Sequence, residues 1–245
     1  ALELGIIPLG TGNVFARSLG MVDFDIQAAF ECALSGPVRS VDLIRTSNGH
    51  SAFFSNAASG GFGGEVTARV SPESKRRWGS FAYWMTAMGR LADLKPYRVK
   101  LQLDDVTIDQ AVFGLAIANG RYVGGGFEIA PYAKVDDGKL DVIVIPELPR
   151  VELLGAGINY FLGREDPDGV RMYQTSRVHV ECEPPMLFSV DGEPLQSVEA
   201  TFEVEPGCLR IATPSSTQRE RSSAAFSSAF RRISRASGRQ ETSTA

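Results

Sequence analysis

Apolar residues dominate from Leu4 to Leu9, and the run ends at Gly10-Thr11-Gly12-Asn13, after which Val14-Phe15-Ala16-Arg17-Ser18-Leu19 has a helical pattern up to Gly20. This is the order strand, glycine turn, helix. Asp25 is placed to cap a second helix through Leu34, which Gly36-Pro37 stops. Residues 1–37 therefore read as the closing βα portion of an α/β domain whose earlier strands lie upstream. From Val38 the pattern becomes short alternating or β-branched runs: Val38 to Arg45, Ser51 to Ala57, Tyr97 to Leu103, Ala111 to Ala118, Leu140 to Ile145, Ser176 to Glu183, Leu187 to Val190, Val198 to Val204 and Leu209 to Ala212. So many strands in succession predict an antiparallel, β-rich sandwich over residues 38–214, and the whole chain is α+β. Asp104-Asp105 and Asp191-Gly192-Glu193-Pro194 have the composition of turns between strands.

Two helical patterns interrupt the strands. In Gly79 to Leu94, Phe81, Trp84, Met88 and Leu91 fall on one face, a stripe that suits either core packing or a lipid contact. Val151 to Leu162 is apolar on more than one side, which fits a buried helix or the wall of an acyl-chain pocket. After Pro214 the chain turns to Ser, Arg and Ala, with too few apolar residues to offset the entropy of folding, so residues 215–245 read as a disordered tail. The tail also spaces Phe226, Phe230 and Ile233 at helical intervals beside Arg231, Arg232 and Arg235, an arrangement that can lie on an anionic membrane.

Charge narrows the choice of partners. The net charge is −4 for the whole chain, and the tail holds six Arg against two Glu, which leaves the body near −8. An acidic body argues against general nucleic-acid binding. Cys32, Cys182 and Cys208 form no C-x-x-C pair and stand far from His50 and His179, so neither a zinc cluster nor a disulfide framework is expected and a reducing compartment fits. No apolar run approaches the roughly 18 residues of a membrane span. The expected location is cytoplasmic, with peripheral contact at the inner face of the membrane.

Three segments carry candidate chemistry. A glycine turn between strand and helix offers backbone N–H groups and a helix terminus to an anion, so Gly10, Thr11, Gly12 and Asn13 form a candidate phosphate site, with the Asn13 amide capping the helix or meeting the ligand. The same composition also serves an ordinary βα turn. Asp191-Gly192-Glu193 supplies two carboxylates, suited to a general base, to a magnesium site or to a simple acidic bend. Gly124-Gly125-Gly126-Phe127-Glu128-Ile129-Ala130-Pro131, followed by Asp136-Asp137-Gly138, permits unusual backbone and places Asp137 with neighbouring carbonyls as a hard-cation site.

Taken in order, these segments resemble a known family. Gly5-Ile6-Ile7-Pro8-Leu9-Gly10-Thr11-Gly12-Asn13, continuing to Ala16-Arg17-Ser18-Leu19-Gly20, is similar to the P-L-G-T-x-N-D-F-A-R-x-L-G signature of the diacylglycerol kinase, sphingosine kinase and bacterial lipid kinase family. Phe54-Ser55-Asn56 with Gly60 to Gly64, Asn119-Gly120, Gly124-Gly125-Gly126, Ala130-Pro131, Asp136 to Asp141 and Asp191-Gly192-Glu193 follow in the family's order, so the likeness covers nearly all of Leu4 to Thr213. The resemblance implies an N-terminal nucleotide domain, a β-sandwich domain and an active site between them. It also implies transfer of the γ-phosphoryl group of ATP to the hydroxyl of a lipid alcohol such as diacylglycerol or a sphingoid base. By resemblance, Gly10, Thr11, Gly12 and Asn13 belong to the ATP site. Lys134 and Lys139 through their carbonyls, with the Asp137 carboxylate, match a structural magnesium site. Asp191 and Glu193 match the motif that supplies the catalytic base.

Two departures temper what the likeness implies. Val14 stands where the family often has Asp, and it cannot coordinate a metal or accept a hydrogen bond. The family's G-G-D-G-T nucleotide loop is expected upstream of Ala1, so this stretch alone is expected to be inactive. A non-catalytic β-rich module that binds lipid or protein on the same scaffold is the rival reading. A nicotinamide-nucleotide kinase shares the broad architecture, but Asn13 to Gly20 fits it less well.

Overall fold

The computed structural model describes residues 2–10, 12–22, 24–47, 51–69, 94–149, 151–152, 155, 169–216 and 218. Most of the expected helices over 79–94 and 151–162, nearly all of the tail, and Thr11 lie outside them. The elements are α1 (Val14–Ser18), α2 (Ile26–Ser35), β1 (Val38–Ser47), β2 (Ser51–Phe54), β3 (Ala57–Gly61), α3 (Phe62–Arg69), β4 (Tyr97–Gln102), β5 (Thr107–Ala118), β6 (Tyr122–Val123), β7 (Phe127–Glu128), β8 (Leu140–Pro146), β9 (Arg171–Thr175), β10 (Arg177–Val190) and β11 (Glu193–Ala212). The chain is thus α+β with a β-rich body, as its periodicity predicts.

Nine strands form one antiparallel sheet in the order β2-β1-β11-β10-β3-β5-β8-β9, and β4 also pairs with β10 and β5. Strand β3 lies between the C-terminal half of β10 and the C-terminal half of β5, and β4 lies between their N-terminal halves. The two short strands therefore share one lane of the sheet, end to end.

The sheet cannot be flat. Strand β9 sits four lanes from β10, roughly 19 Å at the usual strand spacing, yet Ser176 alone joins them, and one intervening residue spans only about 7 Å. The sheet must roll back on itself. The rolled end is fastened at Asp104, in the turn from β4 to β5, whose carboxylate accepts from the Ser176 N–H at 2.8 Å and the Ser176 hydroxyl at 3.0 Å. Val204 N–H donates to the Ser176 carbonyl at 3.0 Å.

Rolling encloses the main core, which takes alternate residues of the strands: Ile44, Val99, Leu101, Leu115, Ile117, Val142, Val144, Val178, Val180, Met186, Phe188 and Phe202 are among its buried members. Phe202 meets Phe54 edge-on at 6.1 Å between ring centres and Phe188 at 5.7 Å, distances that favour aromatic pairs.

Where the strands depart from the sequence reading, the reason is local. Ser176–Glu183 and Leu187–Val190 join into β10, because Pro184 and Pro185 interrupt the hydrogen-bonded ladder without ending the strand; the register with β11 shifts between Glu181 and Met186. Likewise Val198–Val204 and Leu209–Ala212 belong to β11, which shifts register against β1 beside Asp42. Ser51 to Ala57 divides into β2 and β3 at the Ser55-Asn56 bend.

The first residues attach to this body through Leu4, which bridges Ile211 in parallel, with Leu4 N–H on the Arg210 carbonyl and Ala212 N–H on the Leu4 carbonyl, both at 2.9 Å. Helix α2 is capped as its sequence predicts: the Asp25 carboxylate accepts from Ala28 N–H at 2.7 Å. It buries Ala29 and Cys32 with Ala16 and Met21. Leu19, Val41, Val135 and Ile211 form the apolar seam that joins α1 to the sheet.

Candidate functional site

Asp191 follows the last residue of β10 and has φ of 45°, a left-handed conformation that a non-glycine residue adopts only when its surroundings hold it there. What holds it is the bend at Ser55-Asn56. The Asp191 carboxylate accepts from Ser55 N–H at 2.8 Å, the Ser55 hydroxyl at 3.0 Å, Asn56 N–H at 3.2 Å and Ala57 N–H at 2.9 Å. Asp191 N–H donates to the Ala57 carbonyl at 3.0 Å. Both oxygens are therefore committed to the protein. Glu193, at the start of β11, is exposed, and its carboxylate makes no hydrogen bond or ion pair among the described residues.

Asn56 is buried and sits at a junction. Its side-chain amide donates to the Tyr122 carbonyl at 2.8 Å, and its carbonyl accepts from Asn119 N–H at 2.8 Å and Gly120 N–H at 3.0 Å. Ser18, the last residue of α1, donates to the Val14 carbonyl at 3.0 Å and accepts from Arg121 N–H at 3.0 Å, with the Asn56 amide oxygen 3.5 Å away. Asn119, also buried, donates from its side chain to the Ser55 carbonyl at 2.8 Å and the Asp42 carbonyl at 3.0 Å. A continuous set of hydrogen bonds thus links the glycine-turn helix, the acidic turn and the centre of β1.

Asp42 completes that set. It is 2% exposed, yet its carboxylate is satisfied by Gly138 N–H at 2.8 Å and Gly207 N–H at 2.7 Å, and its own N–H donates to Val135 at 2.8 Å. A buried acid is tolerated on such terms. The loop of Lys134, Asp137 and Lys139 is therefore suspended from β1. All three residues are exposed, Asp137 accepts from Lys139 N–H at 3.1 Å, and Asp136 pairs with Arg39. Asp141, at the start of β8, is 7% exposed; burial pushes its pKa up to about 6, and the charge of Asp137 adds to the rise.

In the glycine turn, Asn13 has φ of 44° and its amide closes the turn on itself, donating to Gly10 O at 2.7 Å and Pro8 O at 3.2 Å and accepting from Gly10 N–H at 2.8 Å. It does not cap α1 through its side chain, and α1 is only five residues long. Gly10 and Gly12 flank the tip of the turn.

Hydrogen bonds thus bring the acidic turn, the cation loop and the end of α1 into one assembly, through Asn56, Asn119, Asp42 and Ser18. Of these, Asn56, Asn119 and Ser18 fall in the ordered motif segments of the sequence, whereas Asp42 does not: in Val38–Ser47 it reads as a polar position of an alternating strand, and only the donors of Gly138 and Gly207 explain its burial.

Comparison with known proteins places this assembly. Residues 56–213 match the YegS C-terminal NAD kinase beta sandwich-like domain, and residues 1–46 match the diacylglycerol kinase catalytic domain. A probable lipid kinase YegS-like protein of Alcanivorax borkumensis is 34% identical over 219 residues, covering 87% of this chain and 70% of that protein. The chain belongs to the YegS-like lipid kinase family. Its Pseudomonas fluorescens relative, also a probable lipid kinase YegS-like protein, is 36% identical over 215 residues, covering 86% of the chain and 69% of the relative. The crystal structure of a putative diacylglycerol kinase from Bacillus anthracis shares the YegS-like fold, with a TM-score of 0.71 at 24% identity over 88% of this chain and 69% of that one. Membership makes the chain part of a kinase family, which is the class its ordered motifs predict. No helix among the described residues is long and apolar enough to cross a membrane.

Proposed function

We propose that the chain is the acceptor-side part of a kinase that moves the γ-phosphoryl group of ATP to the hydroxyl of a lipid alcohol, a diacylglycerol or a sphingoid base. The observation that supports this most directly is the difference between the two carboxylates of the acidic turn. Asp191 has both oxygens on the backbone of residues 55–57, whereas Glu193 has neither oxygen committed. In this reading, which takes Glu193 as uncommitted among the described residues, Asp191 fixes the turn and Glu193 meets the substrate.

The lipid hydroxyl gives its proton to a Glu193 oxygen as its own oxygen attacks the γ-phosphorus, and the bond from that phosphorus to the bridging oxygen breaks to release ADP. Gly10, Thr11, Gly12 and Asn13 form one edge of the ATP site, with Asn13 holding the turn in shape for the phosphates. Residues 1–37 belong to the nucleotide side and residues 38–214 to the acceptor side.

The donors around Asp137 fit a hard cation: an exposed carboxylate and loop carbonyls offer oxygen ligands, and the repulsion between Asp137 and Asp141 is of the kind a cation relieves. Asp137 and the Lys134 and Lys139 carbonyls would hold a magnesium ion, which would supply positive charge to steady the loop. The chain's own part is to hang that loop on Asp42.

The test is transfer of radiolabelled phosphate from ATP to a panel of lipid alcohols by the complete protein. Glu193→Gln is expected to lower transfer by about 10²- to 10⁴-fold, the range for a lost general base, with the melting temperature unchanged. Wild-type turnover in Glu193→Gln overturns the assignment.

A further inference from the structure

Asn56, which meets the acidic turn through its backbone, meets Tyr122 through its side chain, and two arginines share that tyrosine's ring. The Arg17 guanidinium lies 5.0 Å from the centre of the Tyr122 ring and that of Arg121 lies 5.9 Å from it. Arg17 comes from the last turn of α1, while Arg121 and Tyr122 lead into the β6–β7 hairpin, where Tyr122 pairs with Glu128. Ser18 joins the two elements by accepting from Arg121 N–H at 3.0 Å. The pair of cations is thus built by the fold and not by chance approach of two long side chains.

Their charges are unevenly answered. Arg121 forms an ion pair with Glu128. Arg17 has no carboxylate and no hydrogen-bond acceptor for its side chain among the described residues, and its partner is the face of Tyr122. The Nε of both arginines is buried without an acceptor. A guanidinium carries five donors in a rigid plane, and folded proteins rarely leave such donors buried and unmatched. The shared ring attracts each guanidinium through its quadrupole and so holds both cations near one point, a preorganisation that suits recognition of a tetrahedral oxyanion.

We propose that Arg17, Arg121 and Tyr122 form a binding site for a phosphate group, with Arg17 as its principal ligand. The proposal deepens the kinase reading and rests on it for the origin of the phosphate, which is either the phosphomonoester of a phosphorylated lipid or the terminal phosphate of a nucleotide. Position favours such a role. The Tyr122 carbonyl receives the Asn56 amide at 2.8 Å, and Asn56 N–H reaches the Asp191 carboxylate at 3.2 Å, so a single residue separates the cations from the acidic turn. The acidic turn and the cations are thus tied to the two ends of Asn56, and their chemistry is complementary: a carboxylate suits the neutral alcohol, and the cations suit what it turns into.

The experiment is isothermal titration calorimetry of the complete protein with dihexanoyl phosphatidic acid in one arm and ADP in the other. Wild-type, Arg17→Gln, Arg17→Lys and Arg98→Gln proteins are compared after circular dichroism confirms that each is folded. Arg98, on β4, pairs with the exposed Asp109 of β5 and serves as the control for a lost surface charge. The expected result is binding in at least one arm that weakens at least tenfold in Arg17→Gln, weakens less in Arg17→Lys, which keeps the charge but loses the planar fork, and is unchanged in Arg98→Gln. Dependence on Arg17 in the phosphatidic acid arm assigns the site to the product, and dependence in the ADP arm assigns it to the nucleotide. No binding in either arm overturns the proposal, as does equal binding by wild-type and both Arg17 variants. Because the readout is equilibrium binding, it separates the two claims. Arg17-dependent binding without turnover leaves the site standing and removes the kinase reading, while turnover without Arg17 dependence does the reverse.

Discussion

The carboxylate of Asp42 accepts the Gly138 N–H at 2.8 Å, so the loop that carries Asp137 is suspended from a buried acid in the middle of β1. The other Asp42 oxygen holds Gly207, in the irregular stretch of β11 where its register against β1 shifts. One side chain thereby fixes two loops that are far apart in sequence. Asp42→Ala leaves two N–H groups with no acceptor in a dry site and is expected to lower the unfolding free energy by about 2–4 kcal/mol, read from urea denaturation, since each orphaned donor costs roughly 1–3 kcal/mol. Asp42→Asn keeps one acceptor and should lie between Asp42→Ala and wild type.

The acidic turn divides stability from chemistry. Asp191→Ala removes the acceptor for three backbone N–H groups and is expected to cost about 2–4 kcal/mol of stability, again by denaturant unfolding. Glu193→Ala removes an exposed side chain without internal partners and should change stability by under about 0.5 kcal/mol. Equal losses in the two variants would contradict the division.

The seam at Ser176 should be sensitive to acid. Hydrogen bonding, chiefly from Ser176 N–H, holds the Asp104 carboxyl below the ordinary carboxylate pKa. A depressed folded-state pKa contributes stability above the unfolded value, near 4, and that contribution is lost as pH falls through the folded value. Asp104→Asn is therefore expected to be less stable than wild type at pH 7, by under about 1 kcal/mol for so exposed a group, and the gap should close as pH falls below the unfolded value near 4. Urea midpoints of both proteins across that range provide the measurement, and a constant gap would remove the carboxylate from the explanation.

How far the sequence discloses this molecule depends on whether the governing contacts are local. Alternation of apolar and polar positions makes β1 and β4 readable, because one face of each strand is buried and the other is not. Helix α3 escapes such a reading. Phe62-Gly63-Gly64-Glu65 has two glycines, which disfavour helix, but an added Cβ at Gly64 would lie 2.2 Å from the Leu187 carbonyl, so close packing against β10 requires the residue that propensity penalises. Strand β9, Arg171-Met172-Tyr173-Gln174-Thr175, sits at a sheet edge, where burial imposes little alternation. In the candidate site, the order of the motifs marked Asp191, Glu193 and the glycine turn, but not the division between the two carboxylates. That division is made by Ser55, Asn56 and Ala57, more than a hundred residues away, and no local pattern encodes it. Arg17 and Arg121 are likewise ordinary surface residues until the fold sets both beside Tyr122.

Strands β3 and β4 share a lane between β5 and β10, the chain departing at Gly61 and rejoining at Tyr97. Everything between those two points is topologically an excursion from a track that resumes where it stopped. Pairing of β3 and β4 with β5 and β10 sets no condition on the length of the chain after α3, while α3 itself is tied to β10 by the close approach of Gly64 to Leu187, so an exchange between relatives is expected to replace residues 70–93 and leave the turn of Asp191 and the loop beneath Asp42 where they are.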